Sequence, residues 1–232
     1  MAYGKLFLIP NTLHEGNYVS LIHLVPIIAS TDIYIVEEIK SARRLLKGVL
    51  KTKDINSCTF KILDKHKDYQ VHFSILDEIK QDKNIGIISE AGLPCIADPG
   101  FQVVQLAHEM GIEVVPVSGP ISMMMALMAS GFNGQSFTFN GYLPIEQTER
   151  KNKIIQLESF AKKNHTQLFM DTPFRNNKTL EELLKYCKPD TLLCIACNLM
   201  AKDEFIQTQT IADWKKIKPD LNKKPCIFIL GK

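Results

Sequence analysis

One run of residues, Ile85 to Gly100, limits what this chain can fold into more than any other. Its first four residues, Ile85-Gly86-Ile87-Ile88, are apolar without alternation, the pattern of a strand covered on both faces, as in a parallel sheet. From Ser89 to Gly100 turn formers and polar residues crowd together: Ser89, Glu90, Gly92, Pro94, Asp98, Pro99. Beyond them Phe101, Val103, Val104, Leu106 and Ala107 keep helical spacing, and Gly111 stands where a helix would stop. A buried strand therefore feeds a structured loop and then a helix. In an open α/β sheet ligands bind just outside the carboxyl ends of the strands, which makes this loop the first candidate for a site.

The same rhythm fills the first half. Leu6–Ile9, Ile33–Val36, Cys58–Leu63 and Ile112–Val117 read as short strands. Between them Val19–Ile28 (interrupted by Pro26), Lys40–Lys51 and Tyr69–Ile79 carry helical spacing, and Asp64, Lys65 and His66 form a polar cluster after the third strand. Strands alternating with helices predict a parallel, doubly wound N-terminal domain over residues 1–117. Ser118-Gly119-Pro120 is a backbone break and the expected hinge. The second domain, 118–232, opens with a helix over Ser122–Ala129 containing three consecutive methionines, which read as core. Strands follow at Ser136–Tyr142, Gln167–Met170, Thr191–Cys197, Phe205–Thr210 and Cys226–Leu230, with helices over Glu149–Lys163, Lys178–Cys187 and Asp213–Ile217. The adjacent pair at 191–197 and 205–210 can form a hairpin, so a mixed sheet is expected here. The fold class is thus two α/β domains, one parallel and one mixed.

A length of 232 residues accommodates two domains of roughly 110 each. The net charge of +3 is too small to argue nucleic-acid binding by itself. The six cysteines lie mostly in apolar runs and read as reduced thiols. With no signal peptide and no apolar run long enough to span a bilayer, a cytoplasmic protein is expected. No G-x-G-x-x-G, no G-x-x-x-x-G-K-[ST] and no G-x-S-x-G occurs. Cys194-x-x-Cys197 has no second pair of ligands and the histidines show no ligand spacing, so no metal is expected.

Within the central loop Cys95 and Ser89 read as small packed side chains rather than nucleophiles, because no histidine neighbours them in sequence. Glu90 and Asp98 suit a ligand's hydroxyl or amine groups, although Asp98 could instead cap the following helix. The helix from Lys40 carries Arg43, Arg44, Lys47 and Lys51 with no acid among them. That face is either simply solvated or, if it flanks the same cleft as Glu37, Glu38 and the Ser89 loop, an electrostatic guide for a phosphate-bearing substrate.

Read together, these segments resemble the class III S-adenosylmethionine-dependent methyltransferases, the tetrapyrrole methylase superfamily, and within it the branch of the small-subunit ribosomal RNA 2′-O-methyltransferase. Ser89-Glu90-Ala91-Gly92-Leu93-Pro94-Cys95-Ile96-Ala97-Asp98-Pro99-Gly100 is similar to that branch's S-D-A-G-T-P-x-x-S-D-P-G. Val115 to Ser122 resembles V-P-x-P-G-P-S; Ser130-Gly131-Phe132 and Gly141-Tyr142-Leu143-Pro144 resemble S-G-L and G-F-L-P; Asp171-Thr172-Pro173-Phe174-Arg175 resembles E-S-P-H-R. The resemblance implies S-adenosylmethionine as cofactor, with S-adenosylhomocysteine as product, held in a cleft between the domains, usually in a homodimer. It carries cofactor contacts to Pro10, Ser89, Glu90, Ala91, Gly92, Gly119, Pro120, Ile121 and Ser122, and in the second domain to Met170, Ala196, Cys197, Pro225 and Cys226. Arg43, Arg44 and Arg175 are the candidate substrate contacts, and Glu37, Glu38 and Asp171, each at the end of an expected strand, are the candidate bases. Departures are Ile9-Pro10-Asn11-Thr12-Leu13-His14 for T-P-I-G-N-L, Glu37-Glu38-Ile39-Lys40 for E-D-T-R, Glu90 for Asp and Phe174 for His. They leave open whether the acceptor is RNA or a ribosomal subunit, a tetrapyrrole or another small molecule, or whether the chain is a non-catalytic cofactor- or RNA-binding relative.

Overall fold

A computed structural model describes residues 4–63 and 76–232. The chain divides into two compact units, Met1–Ile121 and Ser122–Lys232. Among the described residues, each unit is built on one five-stranded sheet.

In the first unit β1 (Leu6–Ile9), β2 (Ile33–Val36), β3 (Thr59–Ile62), β4 (Ile85–Ile88) and β5 (Val114–Pro116) lie in the order β3-β2-β4-β1-β5, every pairing parallel. The apolar runs explain the placement. β2 and β4 are buried at every residue and occupy the interior of the sheet, whereas Thr59–Ile62, with no fully buried residue, is an edge. Alternation divides the core. Ile33, Ile35, Ile85 and Ile87 pack on one face against Val103, Leu106 and Ala107 of α3 (Phe101–Glu109). Tyr34, Val36 and Ile88 pack on the other against Ala42, Leu45 and Leu46 of α2 (Ile39–Val49) and against Leu21, Leu24 and Ile28. Each such leucine or isoleucine, fully buried, contributes about 1.5–3 kcal/mol.

Two helices differ from the sequence reading. Val19–Leu24 is a 3-10 segment, and only Val25–Ala29 (α1) is α-helical, with Pro26 in its first turn. Proline lacks the N–H that an interior turn would need, so the helix begins there instead of being interrupted there. The expected helix at Tyr69–Ile79 falls mostly outside the described residues, as do Asp64, Lys65 and His66; its described end is a 3-10 turn, Asp77–Gln81.

The second unit's sheet runs β6 (Phe137–Tyr142), β7 (Thr166–Met170), β10 (Cys226–Gly231), β8 (Leu192–Cys197), β9 (Phe205–Thr210). β6 and β7 are parallel and the other pairings antiparallel, so the sheet is mixed and β8–β9 is the expected hairpin. Its helices are α4 (Ser122–Ser130), α5 (Gln147–Lys162), α6 (Asn176–Tyr186) and α7 (Ile211–Ile217). Ile154, Leu157 and Ala161 of α5, Leu180 and Leu183 of α6 and Trp214 of α7 share one core with Phe169, Ile195 and Phe228 of the sheet. Among the described residues no helix is long and apolar enough to cross a membrane.

Candidate functional site

All five described strands of the first unit point the same way, so the segments after β1, β2, β4 and β5 emerge at one edge, where an open parallel sheet binds its ligands. Two of those segments, after β1 and β4, lock together through main chain. The Asn11 amide donates to the Gly92 carbonyl at 2.8 Å and the Gly92 amide returns a bond to the Asn11 carbonyl at 3.2 Å. The Asn11 side-chain amide donates to the carbonyls of Ser89 and Glu90 at 3.0 and 3.1 Å, and the buried Ser89 hydroxyl donates to the Gly92 carbonyl at 2.8 Å.

Glycine is required where these segments meet. A Cβ on Gly119 would sit 2.2 Å from the Cβ of Pro10, so no side chain fits between the β1 and β5 loops. Gly92 adopts φ +71, and a Cβ there would lie 3.2 Å from the Pro120 carbonyl. The candidate donor contacts of the first unit, Pro10, Ser89 to Gly92 and Gly119 to Ile121, are thus brought to one edge as closely apposed main chain. That is the kind of cradle a bulky nucleoside-bearing group requires.

The loop's reactive-looking side chains are packed ones. Burial, with a smaller push from Asp98, raises the Cys95 thiol to about 11, so it is neutral. The N-cap position of α3 is Gly100.

Glu37, Glu38 and Glu90 gather on the same side. Glu38 is the N-cap of α2: its two carboxylate oxygens accept from the amides of Lys40 at 2.7 Å and Ser41 at 2.6 Å. The Lys40 amide is the main reason its carboxyl lies below the usual range. Glu90 moves the other way, raised first by partial burial and then by the neighbouring charges of Glu38 and Glu37. From α2 project Lys40, Arg43, Arg44 and Lys47, all exposed. Arg44 meets Glu15 at 2.5 Å, and Arg43 lies over the Phe60 ring, 5.7 Å from its centroid. Between Asn11, Ser41, Arg44 and Glu90 lies a recess of about 180 Å³.

In the second unit the candidate donor contacts also fall side by side. Met170 ends β7 and faces Ile227, Ile227 faces Ala196, and Cys226 faces Cys197. The Pro225 carbonyl accepts from the Asn198 amide at 3.0 Å. Ser122 opens α4.

Asp171, the candidate base at the end of β7, has both oxygens engaged. One accepts from the Thr172 amide at 2.8 Å and pairs with Arg175 at 2.6 Å; the other pairs with Arg150 at 2.6 Å and accepts from the Thr179 hydroxyl at 3.0 Å. Burial pushes its carboxyl up, but the Thr172 amide, Arg150 and Thr179 outweigh it, and the group lies below the usual range. Arg150, only 2% exposed, forks between Asp171 and Glu182 and donates to the Pro144 carbonyl. Arg175 is therefore held by Asp171.

Two residues central to this arrangement escape a reading of the sequence. Asn11 shows only as a polar residue after a strand, a usual turn signal. Arg150 is one of many charges on an amphipathic helix, 21 residues from its partner.

The description "Tetrapyrrole (Corrin/Porphyrin) Methylases" matches residues 25–214. The ribosomal RNA small subunit methyltransferase I of Vibrio cholerae is 31% identical over 207 residues, which cover 88% of this chain and 68% of that protein. The protein of the same name from Haemophilus influenzae is 30% identical over 207 residues, 87% of this chain and 70% of that protein. Among solved structures, the methyltransferase CobJ matches with TM-score 0.65 at 15% identity, covering 99% of this chain and 94% of its own. The uroporphyrin-III C-methyl transferase of Thermus thermophilus, complexed with S-adenyl homocysteine, matches with TM-score 0.57 at 14% identity, covering 99% of this chain and 98% of its own. At such identities these two share the fold.

Proposed function

This chain belongs to the tetrapyrrole methylase family and is an S-adenosylmethionine-dependent methyltransferase; from that premise we propose that its acceptor is a ribose 2′-hydroxyl in the RNA of the small ribosomal subunit. The reading is carried by the likeness to relatives named for small-subunit ribosomal RNA, which runs at about 30% identity through nearly nine-tenths of the chain. The acid-free face of α2 supports it, since Lys40, Arg43, Arg44 and Lys47 offer a phosphate backbone positive charge beside the loop edge. Arg43 and Arg44 are the proposed RNA contacts, with Arg175 as a further one. An RNA acceptor also fits a cytoplasmic protein, and the family resemblance supports a homodimer.

In the proposed site Pro10, Ser89 to Gly92 and Gly119 to Ile121 hold the donor from the first unit. Ser122, Met170, Ala196, Cys197, Pro225 and Cys226 hold it from the second. When bound, the donor supplies a sulfonium methyl that is already electrophilic. The chain's own work is orientation and proton handling. The apposed main chain around Gly92 and Gly119 fixes position without mobile side chains, an entropic and geometric contribution. Removing the acceptor's proton calls for a carboxylate within hydrogen-bond reach. Glu38 caps α2 and Asp171 is part of a buried network, and Glu37 is the proposed base because its charge reaches Glu90 in the loop proposed to hold the donor. Changing Glu37→Gln should lower kcat about a hundredfold with donor affinity unchanged.

The test is transfer of a tritiated methyl group from S-adenosylmethionine to small ribosomal subunits lacking the modification. Label recovered in an alkali-resistant dinucleotide marks a ribose methyl and supports the reading. Label in a base, or transfer to a porphyrinogen and none to RNA, overturns it.

A further inference from the structure

Cys197 and Cys226 face each other across β8 and β10, with their sulfurs 2.6 Å apart. In an antiparallel ladder, hydrogen-bonded and non-hydrogen-bonded pairs alternate, and the non-hydrogen-bonded pairs bring Cα atoms to about 4.5 Å. The neighbouring pair, Asn198 with Pro225, is the hydrogen-bonded one, its 3.0 Å bond running from the Asn198 amide to the Pro225 carbonyl. Cys197 and Cys226 therefore occupy the close position, within the Cα separation that a disulfide spans. We propose that Cys197 and Cys226 are a modification site: a thiol pair that hydroperoxide oxidants convert reversibly to an internal disulfide.

The sequence motif pointed elsewhere. Cys194-x-x-Cys197 has helical or turn spacing in redox proteins, but here both residues lie on β8. Three residues apart on a strand, their side chains leave opposite faces of the sheet, so Cys194 cannot partner Cys197. The partner comes from a strand 29 residues on.

Pairing and reactivity, not exposure, single out Cys197 among the six thiols, since Cys58 and Cys95 are half-buried and Cys197 is buried. It lines a recess of about 210 Å³ bounded by Asp203, Phe205, Asp220 and Lys224, roomy enough for hydrogen peroxide. Its thiol is lowered from the ordinary range, chiefly by the hydrogen bond with Cys226; the other five thiols are raised. The Cys197 thiolate attacks one peroxide oxygen and the O–O bond breaks. This leaves a sulfenic acid and a hydroxide, which takes up the proton that Cys197 lost. The Cys226 sulfur then attacks the sulfenic sulfur, the S–O bond breaks, and the Cys226 proton leaves with the oxygen as a second water. Two thiols are oxidised, one peroxide is reduced, and two waters form.

The full-length protein, treated with a small excess of hydrogen peroxide, should become two hydrogens lighter by intact mass and lose two titratable thiols. Digestion without reductant should give one species linking the peptides that carry residues 197 and 226, and dithiothreitol should restore the starting mass. Cys226→Ser should abolish the link and leave Cys197 to oxidise further to the sulfinic acid, whereas Cys58→Ser should change nothing. A link through Cys58 or Cys95, sulfinic acid at Cys197 in the wild type, or retention of all thiols in folded protein would each overturn the proposal.

Discussion

The ends of two strands, β4 in the first unit and β7 in the second, show two ways of building a surface after a sheet. After β4 the chain turns through glycine and proline and is fastened to the β1 loop by paired main chain, Asn11 with Gly92, and by the Asn11 side chain, while Gly119 after β5 closes on the Pro10 ring. After β7 the chain places Asp171 among Arg150, Arg175, Thr179 and the Thr172 amide, so side chains close on one another. The first arrangement leaves polar main chain in a parallel-sheet edge where a ligand binds. The second uses its charges up. A carboxylate at the end of a strand is thus a poor guide to catalysis until its partners are counted.

Breaking the second arrangement should cost the most. Arg150→Met leaves Asp171 and Glu182 buried without their shared partner and should destabilise the protein by about 3–5 kcal/mol in urea unfolding; a loss below 1 kcal/mol would mean that the network is not what holds β7 to α5. Next comes the first arrangement's fastening. Asn11→Ala strips the Ser89 and Glu90 carbonyls of a buried donor and should cost about 1–3 kcal/mol, read by the same unfolding curve, with weaker binding of S-adenosylhomocysteine. Smaller again, Arg43→Glu with Arg44→Glu should raise KM for RNA about tenfold while KM for the donor stays put in steady-state kinetics.

The smallest effect is a contrast in pH. Asp171 lies below its ordinary 3.8, so the unfolded chain binds the extra proton as pH falls through that range. Its stabilisation is complete above the ordinary value and lost on acidification through the folded one. Glu90 lies above its ordinary 4.5, so its folded form holds the proton longer, and its contribution fades as pH rises past that value. Asp171→Asn should flatten the acid limb of a stability–pH curve, and Glu90→Gln should slightly raise the curve on the alkaline side of the ordinary glutamate range.

The sequence announces most of the first arrangement and little of the second. Unbroken apolar runs such as Ile33–Val36 and Ile85–Ile88 are covered on both faces wherever they pack, so they are legible without a partner. Gly92 and Gly119 are legible for a related reason, since an absent side chain in a turn has few other uses. Glu38 is not, because a glutamate is an unusual N-cap and its spacing to Lys40 and Ser41 looks like that of any surface acid. Arg150 with Asp171, and Cys197 with Cys226, are pairings across separate elements, and one-dimensional spacing carries no register between strands. Proline 26 had a signal, but the sequence alone does not say whether a proline breaks a helix or begins one.

The central claim is that main chain around Gly92 holds the donor, and calorimetric titration of S-adenosylhomocysteine into wild type and Gly92→Arg protein tests it most directly. Wild type should bind, and the variant, its far-ultraviolet dichroism unchanged, should show affinity lower by at least about a hundredfold, or about 2.7 kcal/mol. Equal affinity in the two proteins would contradict the account.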